Sequence, residues 1–163
     1  MLAGKKPNTP LEPTRDRILA TASAQIIQKG IQNTSLAEVA KSIKISKGTL
    51  YYHFRSKDSL IEEIARKNFE ETAIRIKEEL EKFAPKKGKD VLSIAINALT
   101  VERKNAKILH FIYLEILQGN KKLGFKILKI YQQMRQTITE AILPFCKTKE
   151  EAQKITSIIL AIS

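Results

Sequence analysis

Residues 35–60, SLAEVAKSIKISKGTLYYHFRSKDSL, limit the possible folds of this chain more than any other segment does. Ser35 followed three residues later by Glu38 is a capping box, which predicts a helix that begins at Leu36. Apolar residues at spacings of three and four then give this helix one apolar face. Ser46 is placed to cap a second helix. The segment therefore predicts two short helices joined by a tight turn, followed by the start of a third.

The second of these helices divides into an apolar side and a polar side. Leu50 and Phe54 lie four residues apart, which places them together on a face directed at the core. The other side carries side chains that bind phosphate oxygens and base edges, namely Lys47, Thr49, Tyr51, Tyr52 and His53. Two helices joined by a turn of three or four residues, the second reading the major groove, form a helix-turn-helix unit. The segment therefore predicts a DNA-binding motif.

Gly48 and Lys57 each have two interpretations. Glycine within a helix costs about 1 kcal/mol relative to alanine, so Gly48 either allows a close approach of the backbone to DNA or lies in a frayed first turn. Lys57 follows Ser56, a cap for the next helix, and is placed to reach the same DNA backbone. Its alternative interpretation is an ordinary solvated lysine.

Residues 14–80 resemble the DNA-binding region of the TetR family of transcriptional regulators. The resemblance is carried by TSLAEVA at 34–40 and by SKGTLYYHFRSKDSL at 46–60, a block that rarely arises outside the family. It implies DNA contacts from the recognition helix, from the lysine after it, and from a hydroxyl residue opening the second helix. The residues so implied are Thr34 or Ser35 at the start of the second helix, together with Ser46, Lys47, Gly48, Thr49, Tyr51, Tyr52, His53 and Lys57.

One position departs from the family pattern. The family commonly has glycine in the turn, where this chain has Lys44. If the backbone at this position is left-handed, lysine costs about 1 kcal/mol there. We therefore expect a slightly altered turn and an intact fold.

The chain divides into four segments. Residues 1–13 lack periodicity and contain three prolines, so they are expected to form a flexible tail. Residues 14–56 form the predicted helix-turn-helix domain, and residues 57–83 a connecting helix of about 40 Å at 1.5 Å per residue. Residues 89–163 form a helical domain, to which the resemblance assigns effector binding and dimerisation. Strand signals are scarce, so the predicted fold class is all-α.

The C-terminal segment predicts helices near residues 90–104, 106–118, 121–146 and 148–163. The second of these is apolar almost all round, as expected of a helix buried at the centre of a domain. The third has an apolar stripe, which is most simply core. The resemblance implies instead that these helices enclose an apolar cavity with a few polar anchors for a small effector. The candidate residues are Glu102, Arg103, His110, Tyr113, Glu115, Tyr131, Met134 and Arg135.

The last predicted helix has an apolar face that stops at Ser163 without a cap, formed by Ile155, Ile158, Ile159 and Ile162. Family members continue for one or two further helices, which pair two subunits into a dimer. We therefore expect the C-terminal domain to be incomplete and the missing part to hold much of a homodimer interface. An exposed isoleucine face would otherwise favour aggregation.

Composition agrees with a DNA-binding protein but does not locate the DNA-binding site. The net charge of +12 favours an acidic partner such as DNA. Residues 1–57 carry ten Lys and Arg against three Asp and Glu, and residues 84–163 carry fourteen against six. With one cysteine and two histidines, we expect no disulfide, metal site or cofactor. No signal peptide and no apolar run of about 18 residues is present, so we expect a cytoplasmic protein without a membrane partner.

These patterns predict a DNA-binding transcriptional regulator and not an enzyme. The resemblance implies a repressor that a small-molecule effector releases from a palindromic operator. One alternative is a TetR-like scaffold that binds DNA without any effector, and another is a basic protein that binds nucleic acid non-specifically. An enzyme is disfavoured because the sequence has no suitably spaced carboxylate pair, no serine or cysteine with an obvious histidine partner, and no phosphate loop.

Overall fold

The computed structural model describes residues 14–85, 88–100 and 103–162, and every regular element in these ranges is a helix. The all-α fold class is therefore confirmed. No helix in these ranges is both long and apolar enough to span a bilayer. The α-helices are α1 (Thr14–Lys29), α2 (Leu36–Ser42), α3 (Lys47–His53), α4 (Lys57–Phe83), α5 (Gly88–Thr100), α6 (Arg103–Leu117), α7 (Lys121–Ile142) and α8 (Lys149–Ile162), with a 3-10 helix at Leu143–Phe145.

Serine caps set the starts of α2, α3 and α4. The Ser35 hydroxyl accepts a hydrogen bond from the Glu38 N–H at 3.2 Å, and the Glu38 carboxylate accepts one from the Ser35 N–H at 3.1 Å. Ser46 and Ser56 each accept a hydrogen bond from the backbone N–H three residues on. Each cap satisfies an amide that lacks a partner within the helix and contributes about 1 kcal/mol. The predicted capping box and both predicted serine caps are confirmed.

The turn between α2 and α3 depends on a left-handed backbone at Lys44, where φ is +58°. Its N–H donates to the Lys41 carbonyl at 3.2 Å, and the Ile45 N–H donates to the Ala40 carbonyl at 3.0 Å. The side chain of Ile45 is half-buried against the core. The turn therefore forms with lysine at a position that favours glycine.

Replacing Lys44 by glycine is expected to raise the free energy of unfolding by about 1 kcal/mol, because glycine adopts the left-handed region without a steric cost. Urea unfolding followed by circular dichroism measures the change. Lys41→Gly is the matched control, since it places glycine inside α2 and is expected to lose about 1 kcal/mol. A Lys44→Gly protein that is less stable than the wild type would contradict the strain assigned to this turn.

Helices α1 to α3 share a core that holds α3 in place. Leu50 of α3 is fully buried, and Ile18 and Ile26 of α1 are buried in the same cluster. The Arg17 guanidinium donates to the Ile43 carbonyl at the end of α2, at 3.0 Å. The Arg15 guanidinium lies 5.3 Å from the ring centroid of Phe54. Contacts with α1 therefore help to hold the apolar side of α3 in position.

Helices α4 and α7 run side by side in the same direction. Near their N-termini, the Asn120 amide donates to the Asp58 carboxylate at 3.2 Å, and the Lys126 ammonium pairs with Glu62. Further along, residues 66–74 of α4 face residues 130–137 of α7 across a cavity. Since residue numbers increase together on both helices, the N-terminus of α7 lies beside the N-terminus of α4.

Helix α6 packs on α1, α4 and α7 through one side only. The prediction that residues 108–117 are buried at the centre of the domain is therefore wrong for one side of the helix. Ile108 and Ile112 are buried, whereas Tyr113 and Leu117 are exposed by 57% and 63%. The Gln32 amide donates to the Glu115 carboxylate at 2.6 Å and links α6 to the turn between α1 and α2. High apolar content alone did not indicate how many neighbours cover the helix.

The predicted continuous helix at 121–146 is wrong at its C-terminal end. Helix α7 ends at Ile142, and a 3-10 helix with Pro144 near its start follows. Proline has no N–H to donate and its ring clashes with the carbonyl four residues earlier, so the α-helical hydrogen bonds cannot continue through it.

The isoleucine face of α8 is mostly covered by the chain itself. Ile155 and Ile159 are buried in the core, where α8 packs against α5 and α7. Only Ile158 remains largely exposed, and the side chain of Ile162 lies outside the described residues. Helices α5 and α7 therefore already supply the partners of Ile155 and Ile159.

Candidate DNA interface

Helix α3 presents the two sides that its sequence predicts. Leu50 and Phe54 are 0% and 3% exposed and anchor the helix in the core. The opposite side carries the exposed Lys47 and Thr49, and Tyr52, which is 86% exposed. None of the described helices and turns covers this polar and aromatic side.

Three ring side chains, those of Tyr51, Tyr52 and His53, lie at the C-terminal end of α3. Tyr51 is exposed, and His53 is half-buried. The rings of Tyr52 and His53 meet edge to face, with their centroids 5.3 Å apart. Among the described residues neither tyrosine hydroxyl has a hydrogen-bond partner. Each phenol is therefore available as a donor to a partner molecule.

The first turn of α3 leaves the space around Gly48 open. A Cβ atom added at Gly48 would lie 3.7 Å from the Ser46 Oγ, an ordinary van der Waals distance, and the backbone there is not left-handed. The Ser46 and Thr49 hydroxyl oxygens lie 2.8 Å apart. Nothing in the fold requires glycine at this position, which favours the interpretation that glycine permits a close approach of DNA.

The start of α2 and the start of α4 flank α3, but one predicted contact is not on this surface. Thr34 is 4% exposed, and its hydroxyl donates to the Gly30 carbonyl at 2.9 Å. Of the two alternatives Thr34 and Ser35, the structure favours Ser35 for the predicted contact, because the Thr34 side chain stabilises the turn after α1. Ser35 is exposed. The half-buried Lys57 points its ammonium at the Gln32 carbonyl, 3.4 Å away.

Positive charge dominates the surface around α3. Glu38 is the only Asp or Glu between residues 34 and 57. A hydrogen bond from Lys29, followed by those from Ser35, holds the pKa of Glu38 below its ordinary value. The Lys29 ammonium lies 3.1 Å from the Glu38 carboxylate and offsets its charge. Four exposed cations of this surface have no carboxylate partner among the described residues, namely Lys41, Lys44, Lys47 and Arg55.

A separate cavity of about 240 Å³ lies between α4 and α7. Its lining combines an apolar part with a rim of polar groups. The apolar part comprises Phe69, Ala73, Ile74, Ile130 and Met134, and the polar rim comprises Arg66, Glu70, Gln133 and Thr137.

Two of the predicted effector-contacting residues belong to this part of the fold. Met134 lines the cavity, and the half-buried Tyr131 packs its ring against the edge of Phe69, with centroids 6.2 Å apart. The polar groups of the rim were not predicted. In the sequence, Arg66 with Glu70 and Gln133 with Thr137 are pairs of polar residues four apart, but only the folded chain brings the two pairs together.

The other predicted effector residues whose side chains the structure describes do not line the cavity. Glu115 accepts a hydrogen bond from Gln32, and the Arg135 guanidinium donates to the Ser157 hydroxyl at 3.2 Å. His110 and Tyr113 are exposed on α6. Glu102 and the side chain of Arg103 lie outside the described residues.

The sequence of the helix-turn-helix region decides the family. A family model described as bacterial regulatory proteins, tetR family, matches residues 18–64, which run from α1 into α4. The helix-turn-helix region of this chain belongs to the TetR family. The resemblance seen in residues 14–80 is confirmed.

Two transcriptional regulators are similar to this chain in the same region. The HTH-type transcriptional regulator UidR of Escherichia coli strain K12 is 40% identical over 73 residues, covering 45% of this chain and 37% of UidR. The HTH-type transcriptional repressor KstR2 of Mycolicibacterium smegmatis is 37% identical over 62 residues, covering 37% of this chain and 30% of KstR2. The match thus spans about a third of the length of each of these relatives.

The TetR-family fold extends beyond the matched region. The solved structure of Salmonella enterica GusR superimposes with a TM-score of 0.75 and 26% sequence identity, covering 94% of this chain and 81% of GusR. An N-terminal helix-turn-helix domain followed by a helical C-terminal domain is therefore common to this chain and the family.

Proposed function

We propose that this protein is a sequence-specific DNA-binding regulator whose helix α3 enters the major groove. The observation that carries the proposal is the exposed side of α3, where Tyr52 is 86% exposed opposite the buried Leu50. A tyrosine side chain contributes favourable binding energy when a partner covers its ring and accepts a hydrogen bond from its hydroxyl. An exposed aromatic and cationic helix face in a helix-turn-helix motif fits the groove of a duplex.

Each side chain has a role that follows from its chemistry. Lys47 donates to guanine or to a phosphate, and Thr49 contacts a phosphate or a thymine methyl group. Gly48 allows the backbone to approach the groove. The flanking donors bind phosphate oxygens and set the position of α3; they are Ser35, Ser46, Tyr51, Tyr52, His53 and Lys57.

We further propose that the protein acts as a homodimer and as a repressor. A twofold axis that places two α3 helices about 34 Å apart matches two half-sites one helical turn apart on B-DNA. Such a dimer recognises a palindromic operator, because each subunit reads one half-site. The similarity to KstR2, a transcriptional repressor, supports repression.

Selection from a pool of random DNA duplexes tests this function. The wild-type protein is expected to enrich an inverted repeat with half-sites about 10 base pairs apart, centre to centre. Enrichment of no common sequence, with binding governed by salt alone, would contradict the proposal and support non-specific nucleic-acid binding.

We propose that a small amphiphilic effector binds between α4 and α7 and releases the operator. The cavity has an apolar lining with Arg66 and Glu70 at its rim, the type of lining that binds small molecules. Helix α4 also carries Lys57 at its N-terminus, so a ligand that shifts α4 against α7 displaces a phosphate-binding group. Such a ligand acts only if it binds the displaced state more tightly than the DNA-bound state. The existence of this cavity favours an effector over the effector-free scaffold.

Filling the cavity is expected to abolish the effector response. Thr137 is exposed at the rim, so Thr137→Phe places a ring over the cavity without disturbing the core. Compounds that raise the Tm of the wild type by binding this site should leave the Tm of Thr137→Phe unchanged. At a concentration of 100 times Kd such a ligand stabilises the wild type by about 2.7 kcal/mol.

Gln132→Phe is the matched control for this experiment. Gln132 is an exposed residue of the same helix and does not line the cavity. It should therefore keep the wild-type response in the thermal-shift assay. If ligands stabilise Thr137→Phe as much as the wild type, the effector binds elsewhere.

A further inference from the structure

The start of α7 lies next to the start of α4, on the side of the molecule that carries the DNA-binding groups. Asn120, the cap of α7, donates to Asp58, the residue after Lys57. The side chain of Gln118 lies 3.4 Å from that of Gln32. Gln32 in turn provides the carbonyl group that the Lys57 ammonium contacts. Two separate contacts therefore bring the loop between α6 and α7 to the surroundings of Lys57.

Two lysines follow this loop directly. Lys121 and Lys122 form the first turn of α7, and both are exposed. In the described part of the chain neither has a carboxylate partner, whereas Lys126, one turn later, pairs with Glu62. The two lysines therefore carry uncompensated charge beside Lys57.

We propose that Lys121 and Lys122 extend the DNA-binding surface from the helix-turn-helix domain onto the C-terminal helices by binding phosphates of the duplex. This inference rests on the proposed DNA-binding function and adds a contact outside the region matched by the family model, which ends at residue 64. Because lysine binds phosphate as a point charge, the added contacts strengthen binding without selecting a sequence. They also give a role to part of the positive charge in residues 84–163, a segment that contains fourteen Lys and Arg but only six Asp and Glu.

The contact also has a consequence for release of the duplex. The two lysines move with α7, while Lys57 moves with α4. A displacement of one helix against the other would therefore separate the two groups of phosphate-binding cations. Both groups reach the duplex together only when α4 and α7 keep the arrangement fixed by Asp58 with Asn120 and Glu62 with Lys126.

The salt dependence of binding to the selected duplex tests this inference. Each neutralised phosphate contributes about −0.9 to the slope of log K against log salt concentration. The double variant Lys121→Ala/Lys122→Ala is expected to reduce the magnitude of the slope by about 1 to 2 per bound subunit, with an affinity loss of about 3- to 30-fold at low salt. The ratio of affinities for the selected and scrambled duplexes should stay the same. Lys121→Arg/Lys122→Arg should restore the wild-type slope.

The matched control is Lys147→Ala/Lys149→Ala, which removes the same charge beyond the other end of α7, about 30 Å away at 1.5 Å per residue. Both of these lysines are exposed, and circular dichroism checks the helical content of every variant. The inference is overturned if the Lys121→Ala/Lys122→Ala protein has the same slope as this control. A wild-type protein that prefers no duplex sequence would instead contradict the proposed function. The failure of the lysine contact and the failure of the proposed function are therefore distinguishable.

Discussion

Replacing Lys47 by alanine is expected to weaken binding of the selected operator at least tenfold. Lys47 is the first residue of α3, is exposed, and has no carboxylate partner within the described residues. A hydrogen bond to a charged group contributes about 1.5–3 kcal/mol, and about 1.4 kcal/mol corresponds to a factor of ten in affinity. A dimer loses this contact in both half-sites. A gel-shift titration measures the loss.

The fold should not change in this variant, because the Lys47 side chain makes no contact that the core needs. Lys149→Ala is the matched control, since Lys149 is likewise an exposed lysine at the first position of a helix. Its operator affinity should equal that of the wild type. Unchanged affinity of the Lys47→Ala protein would show that Lys47 does not contact the operator. The main cation at the N-terminal end of α3 would then contribute nothing to the interface.

Replacing Leu50 by alanine is expected to reduce the free energy of unfolding by about 3–5 kcal/mol. Leu50 is 0% exposed and is the inward anchor of α3 among the buried residues of α1 and α4. Truncation leaves a cavity that neighbouring helices fill only in part. Urea unfolding measured by circular dichroism gives the change in stability. The affinity for the operator should also fall, because α3 loses the buried contact that holds it in position.

Leu128→Ala provides the comparison for this substitution. Leu128 is 50% exposed on α7, so its truncation removes much less buried surface and is expected to cost below about 1 kcal/mol. A loss at Leu50 no larger than the loss at Leu128 would contradict the two-sided arrangement of α3.

Local signals in the sequence were sufficient to predict helix starts and the buried side of α3 in the N-terminal half. Ser35 with Glu38, Ser46 and Ser56 mark helix starts that depend only on residues three positions on, and all three caps form as predicted. Helix α4 also occupies residues 57–83, the range predicted for a connecting helix. The burial of Leu50 and Phe54 followed from their spacing.

Contacts between segments that are distant in the sequence could not be predicted from such local signals. Thr34 carries the same hydroxyl as Ser35, and only the carbonyl of Gly30 in the folded turn makes it a buried structural residue. Leu117 is apolar but exposed, because no described element covers that side of α6.

The candidate effector site was the least predictable part of the molecule. It forms where α4 and α7 meet, and these helices are separated by residues 84–120 in the sequence. Periodicity identified Met134 as part of an apolar stripe. The partners of that stripe, Arg66 and Phe69, became apparent only once the parallel packing of the two helices was known.

Sequence-specific binding by the uncovered side of α3 is tested most directly by a comparison of two duplexes. Fluorescence anisotropy at fixed salt concentration can compare the selected duplex with a scrambled duplex of equal length and composition. We expect the wild-type protein to prefer the selected duplex by a factor of about 10³ or more, and the Lys47→Ala protein to bind it at least tenfold more weakly than the wild type. Equal affinity of the wild-type protein for both duplexes would contradict the central claim.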